Sequence, residues 1–260
     1  MDLDYSDHKH TIEQFSKTSI NYSVDSLFST GKDLDMIIKF AKPKKNMKML
    51  DVATGAGHVA IKFSKYVNKV IAVDITPKMI RESEKNINTL DIANIEIKIM
   101  GAEKLLFKKE HFDLITCRYA PHHFNNVNKF LSEVYRVLKY NGMFVLIDII
   151  SSREYIFDKF INNINKIRDP THMRSYTKEE WFSMIEKSKL KVVDVENFRN
   201  EHNLNDWLKR AKTDKENVKE IKKIISNCNI KIKDKFDIKY TKNKKTFTED
   251  NIIITCKKIQ

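Results

Sequence analysis

The stretch Met49 to His58, MLDVATGAGH, constrains this chain more than any other. An apolar run ends in Asp51, a short loop carries Gly55 and Gly57, and Val59, Phe63, Tyr66 and Val67 follow at near-helical spacing. That order predicts strand, glycine turn and helix. Glycine reaches positive φ and carries no Cβ, so a ligand can lie against the backbone where the following helix offers unpaired N–H groups. A second apolar run, Val70 to Val73, ends in Asp74, from where a carboxylate can accept hydrogen bonds from a ribose diol. The two elements describe the first half of a nucleotide-type site. Two-glycine loops also occur without a ligand. The third glycine of a dinucleotide fingerprint is replaced by Ala60, which disfavours an NAD site and leaves it open.

The β-α alternation continues along the chain. Thr76-Pro77 predicts an N-cap hydroxyl and a proline at the first helical position, with a helix to about Thr89. Ile95 to Met100 and Phe112 to Cys117 read as the third and fourth strands, and Val127 to Leu138 as an amphipathic helix. Asn141-Gly142 predicts a turn, and the apolar run Met143 to Ile150 a central strand buried on both faces. Five strands and four crossovers make a parallel sheet. Ahead of it, Asp7 to Leu27 reads as a helix followed by a looser arm, and Leu34 to Phe40 as a helix stopped near Pro43. Beyond Ser151 the pattern changes. Tyr155 to Ile167 is amphipathic, residues 168–172 form a loop, and Lys178 to Ser188 is a helix entered through Thr177. Lys191 to Glu196 and Asn251 to Lys257 read as the last strands, with lysine-rich helix from Leu204 to Asn227 between them.

Four segments in this order, DVATGAGH, VDITPKMI around Asp74, CRYAPHHF at 117–124 and RDPTHMRSY at 168–176, resemble class I S-adenosylmethionine-dependent methyltransferases. The branch they resemble includes the quinone-biosynthesis C-methyltransferases, and the likeness runs from about Gln14 to the end. It implies a doubly wound α/β fold: a mostly parallel seven-stranded sheet with an antiparallel last strand, Rossmann-like, with helical insertions as a lid. It also implies S-adenosylmethionine as cofactor, S-adenosylhomocysteine as product, and no metal. The cofactor residues implied are Asp51, Ala53, Thr54, Gly55, Gly57, Asp74, Ile75 and Met79. In such relatives an N-terminal arm folds over the cofactor, which would set Tyr22 and Ser29-Thr30-Gly31 at the rim. Relatives usually hold the adenine amino group with an acid after the third strand; Gly101 stands there, leaving Ala102 or Glu103 to substitute. Arg118 is expected near the methionine portion and His123 near the acceptor.

Length and charge bound the alternatives. At 260 residues and 41% hydrophobic, the chain predicts one elaborated domain: an arm over 1–45, a cofactor-binding core over 46–150, and lid helices with the last strands over 151–260. No run approaches 18 apolar residues and the first thirty are polar, so a soluble cytoplasmic protein without a membrane span is expected. Cys117, Cys228 and Cys256 match no metal or redox spacing. The net charge of +13 invites a nucleic-acid reading, but the lysines are spread along the chain. The window Lys231 to Lys245 has few of the aromatics that stack on bases.

A sulfonium methyl is already electrophilic, so alignment and water exclusion carry the rate. A base matters only if the acceptor must lose a proton, and His123, His172 and Tyr176 are the candidates. Adjacent histidines on a regular strand point oppositely, which argues against a two-histidine metal site at His122 and His123. The Asn-Pro-Pro-aromatic motif of nucleobase and protein amino methylation and the Pro-Cys motif of cytosine C5 methylation are both absent. The reading is a small-molecule methyltransferase whose segment Tyr155 to Tyr176 closes over the acceptor. The alternatives are an RNA or protein methyltransferase using the basic surface and a non-catalytic cofactor-binding protein.

Overall fold

The structure is a computed structural model describing residues 6–25, 29–241 and 244–259. The expected arm residue Leu27 and positions 242–243 of the basic window lie outside the described residues. Among the described residues eight strands form one sheet: β1 (Lys48–Val52), β2 (Lys69–Asp74), β3 (Ile95–Ile99), β4 (Phe112–Arg118), β5 (Leu138–Ile149), β6 (Leu190–Asn203), β7 (Lys239–Tyr240) and β8 (Lys245–Lys258). The order is β3-β2-β1-β4-β5-β8-β6, and the two-residue β7 pairs with β8. β1 to β5 run parallel, whereas β8 is antiparallel to both β5 and β6. This is a Rossmann-like α/β sheet with one short strand more than expected.

The order reverses beside β1, where the chain leaves for β2 and β3 and returns to β4 on the other side. Open parallel sheets bind ligands beyond their carboxyl ends at such a point. Among the described residues ten α-helices accompany the sheet. α1 (Lys9–Val24), α2 (Asp33–Ala41), α3 (His58–Ser64), α4 (Pro77–Thr89) and α5 (Val127–Val137) accompany the first five strands. α6 (Tyr155–Arg168), α7 (Lys178–Lys187), α8 (Leu204–Arg210), α9 (Lys215–Asn227) and α10 (Ile230–Lys235) belong to the second half.

The core lies in three parts. One face of the sheet packs α5 and α7 through Phe130, Val134, Trp181 and Ile185; the other packs α2 and α3 through Ile37, Phe40, Val59 and Phe63. The third gathers Phe157, Phe160, Ile164, Trp207, Ile221 and Phe236 under α6 and α8 to α10. Burying a side chain of this size contributes about 1.5–3 kcal/mol, so α6 is anchored by several such contacts. The segment expected as a lid, 155–176, thus begins with a helix packed into the core, and Arg168 at its end lines the second cavity described below.

Local chemistry explains several boundaries. Thr177 caps α7 in a capping box: its side chain accepts from the Glu180 N–H while the Glu180 carboxylate accepts from the Thr177 N–H. Thr76 does not cap α4 through its hydroxyl; its backbone N–H donates to Asp74 Oδ1 at 2.8 Å instead. Asn141-Gly142 is no free turn but an irregular stretch inside β5, where pairing to β4 jumps from Leu138 to Met143. β6 and β8 run 14 residues each, well beyond the expected spans, with a bulge in β6 between Val192 and Asp194. The expected helix from Leu204 to Asn227 is two, broken at 211–214, where Asp214 caps α9.

Candidate active site

Two neighbouring cavities open at the carboxyl ends of β1, β2 and β4. The first encloses about 1030 Å³ counting its open mouth. Its floor is the β1–α3 loop with Asp51, Ala53, Thr54 and Gly55; one flank carries Asp74, Ile75, Thr76 and Met79; the opposite flank carries Met100, Ala102 and Glu103. Arg118, Tyr119, Ala120, His123 and Phe124 line the β4 side, and His8, Thr11, Phe15 and Tyr22 roof it from α1 and the turn before it.

The loop holds its shape by a chain of polar contacts. Thr54 Oγ1 donates to Asp51 Oδ2 at 2.6 Å, and Thr116 Oγ1 to Asp51 Oδ1 at 2.7 Å. Asp74 Oδ2 accepts the Gly55 N–H at 2.9 Å, tying β2 to the loop. Burial raises both acids: Asp51 reaches about 6 against the opposing Thr54 and Thr116 hydrogen bonds, and Asp74 is raised against the N–H groups of Thr76 and Gly55. Arg118 Nε meets Asp33 Oδ2 at 2.5 Å in a buried ion pair, so its charge is shared with α2.

The two glycines divide their roles. Gly55 has φ +55 and open space where a Cβ would stand, facing the cavity. Gly57 has φ +86, and a Cβ there would lie 2.4 Å from Ser83 Oγ. It makes room for the approach of α4 to the loop, and it is not among the residues lining the cavity. Gly101 also lies outside the lining, while Ala102 and Glu103 reach it. Ser29, Thr30 and Gly31 border a separate surface hollow with His58 and Asn86. Ala53 and Tyr119 hold φ +55 and +51, a conformation costly for residues with a Cβ.

The second cavity, about 510 Å³ including its mouth, lies deeper along the sheet. Phe15, Tyr22, Tyr119 and His123 belong to both walls. His122, Arg168, Asn200, His202, Trp207 and Glu249 are among its other residues. His122 and His123 sit on a 3-10 turn, Pro121–His123, and both are buried. They therefore lie just beyond β4, off the regular strand. The His122 Nδ1 meets Asp148 Oδ1 at 2.5 Å, and the His122 backbone N–H donates to Asp148 Oδ2 at 3.1 Å. A carboxylate only accepts, so Nδ1 carries the proton on the Asp148 side. His123 is set by relay: the Thr171 hydroxyl donates to Asp169 Oδ1 at 2.6 Å, and its oxygen lies 3.0 Å from His123 Nδ1. Burial, with the neighbouring His122, pushes His123 down and keeps it neutral.

The other proposed bases lie elsewhere. His172 lines neither cavity; its Nε2 faces Asn162 Oδ1 at 3.2 Å, and burial with the two nearby histidines drives its basicity far down. Tyr176 packs edge-on against Trp181 with ring centroids 5.5 Å apart. Sequence reasoning missed the His122–Asp148 pair because Asp148 sits within an apolar strand run with no motif of its own. It also missed Phe15, whose ring meets His123 edge-on at 4.9 Å. Among the described residues no cluster of three or more His, Cys, Asp or Glu side chains is arranged to hold a metal, and no helix is long and apolar enough to cross a membrane.

Comparison with known proteins places this geometry. A family model described as "Methyltransferase domain" matches residues 43–191. The chain is 34% identical over 229 residues to the uncharacterized methyltransferase YcgJ of Bacillus subtilis, covering 88% of this chain and 90% of that one. The crystal structure of YcgJ superposes with a TM-score of 0.85 over 88% of this chain and 99% of that one. The protein YafE of Escherichia coli is 26% identical, with 74% and 91% of the two chains covered. The ubiquinone/menaquinone biosynthesis C-methyltransferase UbiE of Zymomonas mobilis is 27% identical over 68% of this chain and 71% of its own. With the sheet order, the β1 loop and these relatives in agreement, the chain belongs to the methyltransferase domain family.

Proposed function

We propose that the protein transfers the sulfonium methyl group of S-adenosylmethionine to a small-molecule acceptor bound in the second cavity. The observation that carries this reading is the shared wall: one cavity at the nucleotide-type loop and one beside two oriented imidazoles meet at Phe15, Tyr22, Tyr119 and His123. The residues present fit the cofactor. The space in front of Gly55 would be filled by any Cβ, Asp74 stands at the end of β2 to accept from ribose hydroxyls, and Ile75, Met79, Met100 and Ala102 offer an apolar slot. Glu103 is held at the slot's edge by accepting the Asn126 N–H at 2.9 Å. Asp51, Ala53, Thr54, Tyr22 and Arg118 would surround the remainder. When bound, S-adenosylmethionine supplies an activated methyl electrophile.

The chain's own part is alignment, exclusion of water and proton removal. Phe15 and Tyr22 close the junction from α1, which favours charge transfer in a dry site. The Nε2 atoms of His122 and His123 are the acceptors oriented to take a proton from a hydroxyl or amine. Calorimetric titration tests the reading: S-adenosylmethionine and S-adenosylhomocysteine should bind one site, NADH should not, and Asp74→Asn should weaken both binders. Binding of NADH without binding of either sulfur compound would overturn it.

A further inference from the structure

We infer that the second cavity recognises a planar organic carboxylate through Arg168, so that the acceptor is an aromatic or conjugated acid; this rests on the proposed transfer reaction for its role, but not for its test. Arg168 ends α6 and faces the cavity across Trp207, with its guanidinium carbon 4.6 Å from the ring centroid. Its Nε–H donates to the Trp207 carbonyl at 2.9 Å. A guanidinium carries five N–H donors, and among the described residues that of Nε is the one hydrogen-bonded. Among the described residues no carboxylate lies within 4.0 Å of it. The nearby acids feel the Arg168 charge without pairing with it: Glu249 accepts from His202 Nε2 and Asn165 Nδ2, each at 2.9 Å, and Asp169 Oδ1 from Thr171, while Asp169 Oδ2 is buried without a hydrogen-bond partner.

Two features fix the ligand's chemistry. The stacked fork is pinned at Nε and by the indole face, leaving the edge that pairs two N–H groups with two carboxylate oxygens. Its aromatic surroundings, Trp207, Tyr119 and Phe15, favour a flat body over a branched one. The Glu249 carboxylate sits in the same wall and, despite burial, is held down to about 2 by His202. It therefore stays ionised at neutral pH and repels a second negative charge, which favours a monoanionic carboxylate over a phosphate dianion. Arg168 lines the second cavity and not the first, so a carboxylate held there leaves the rest of the molecule to fill the space beside His122, His123 and the shared wall.

The test uses Trp207 as reporter. Trp181→Phe leaves Trp207 as the sole tryptophan and removes an indole N–H that is buried without a hydrogen-bond partner, so the fold should tolerate it. Emission is followed while benzoate, its uncharged isostere benzamide and phenyl phosphate are added, with and without S-adenosylhomocysteine. Benzoate should bind roughly tenfold tighter than benzamide, the difference expected of a charged hydrogen-bonded pair, and tighter than phenyl phosphate. Arg168→Gln should bring benzoate and benzamide within about twofold, and Arg168→Lys should restore part of the gap. Calorimetry on the wild-type chain gives the same ratio if either variant fails to fold. Equal affinity for benzoate and benzamide, no binding of benzoate, preference for phenyl phosphate, or a preference that survives Arg168→Gln would each overturn the inference. Failure of S-adenosylhomocysteine to bind while benzoate keeps its preference would overturn the transfer reading and leave the carboxylate site standing.

Discussion

Gly57 and Ser83 meet so closely that a single added carbon on the first would lie 2.4 Å from the hydroxyl oxygen of the second. The Ser83 hydroxyl is itself buried without a hydrogen-bond partner. The contact locks α4 against the β1–α3 loop and sets where Asp74 and Gly55 stand relative to each other.

Gly57→Ala should therefore cost stability before it costs binding. The left-handed φ alone costs about 1–2 kcal/mol for an L residue, and the overpacking against Ser83 about 1–3 kcal/mol more. Urea unfolding of Gly57→Ala, and of Gly57→Ala with Ser83→Gly, separates the two: the second substitution should recover only the packing part. Ser83→Ala alone, which removes an unsatisfied hydroxyl, should leave stability unchanged or raised.

Asp51 links stability to pH. Its acidity is shifted from an ordinary 3.8 to about 6 by burial, so the folded state binds a proton that the unfolded chain has released. Stability from this group is present below about pH 4 and is lost as pH rises through 6, by about 3 kcal/mol for a two-unit shift. Asp51→Asn should flatten the stability profile between pH 4 and 6 and raise the midpoint at pH 7. Denaturation across that window checks it; an unchanged slope would show that Asp51 does not titrate there.

Asp148→Asn tests the His122 pair. An amide can donate to Nδ1, which would place the imidazole proton on Nε2 and remove that atom as an acceptor. Turnover of an acceptor that loses a proton should fall by about 10²–10⁴-fold, with S-adenosylmethionine affinity unchanged. Turnover assays and calorimetry read the two separately. An equal loss of cofactor binding would mean that the pair is structural.

Closure should belong to α1. Its residues Thr11, Phe15 and Tyr22 cover the first cavity, whereas α6 is sunk in apolar contacts. Hydrogen exchange over 9–24 should slow when cofactor binds, and exchange over 155–168 should not change. Slowing confined to 155–168 would return the lid to the segment first expected.

Periodicity made the alternating half legible. Apolar runs ending in Asp51, Asp74 and Arg118 mark strand ends that a sheet must expose, and their order fixes the site's floor. The second half resisted reading because its determinants are long-range. The outer part of β6, NFRNEHN, is polar on both faces, so no alternation announces it, and only pairing with β8 makes it a strand. The roof was half visible: the arm was expected over the cofactor, but Phe15 became a wall residue only through its contact with His123. His172 and Tyr176 share a segment with Arg168, and sequence adjacency cannot say which of them turns inward.

The bulge at Val193 has a consequence for inheritance of specificity. Before it, the even-numbered Leu190 and Val192 face the first part of the core; after it, Val195 takes that side. The single extra residue thus swaps odd for even, and Asn200 and His202 arrive opposite Glu249 and Phe247 on the cavity face. Because strand side chains alternate with period two, deleting Val193 itself would close the bulge and leave these pairs in place, whereas deleting one residue between Asp194 and Arg199 with the inner pairing kept would turn both polar groups outward at once. Such a chain would keep its sheet while exchanging a polar acceptor wall for Arg199 and Glu201. If the second cavity holds the acceptor as proposed, one codon lost from the outer half of β6 would change what lines it, with no substitution in the β1–α3 loop.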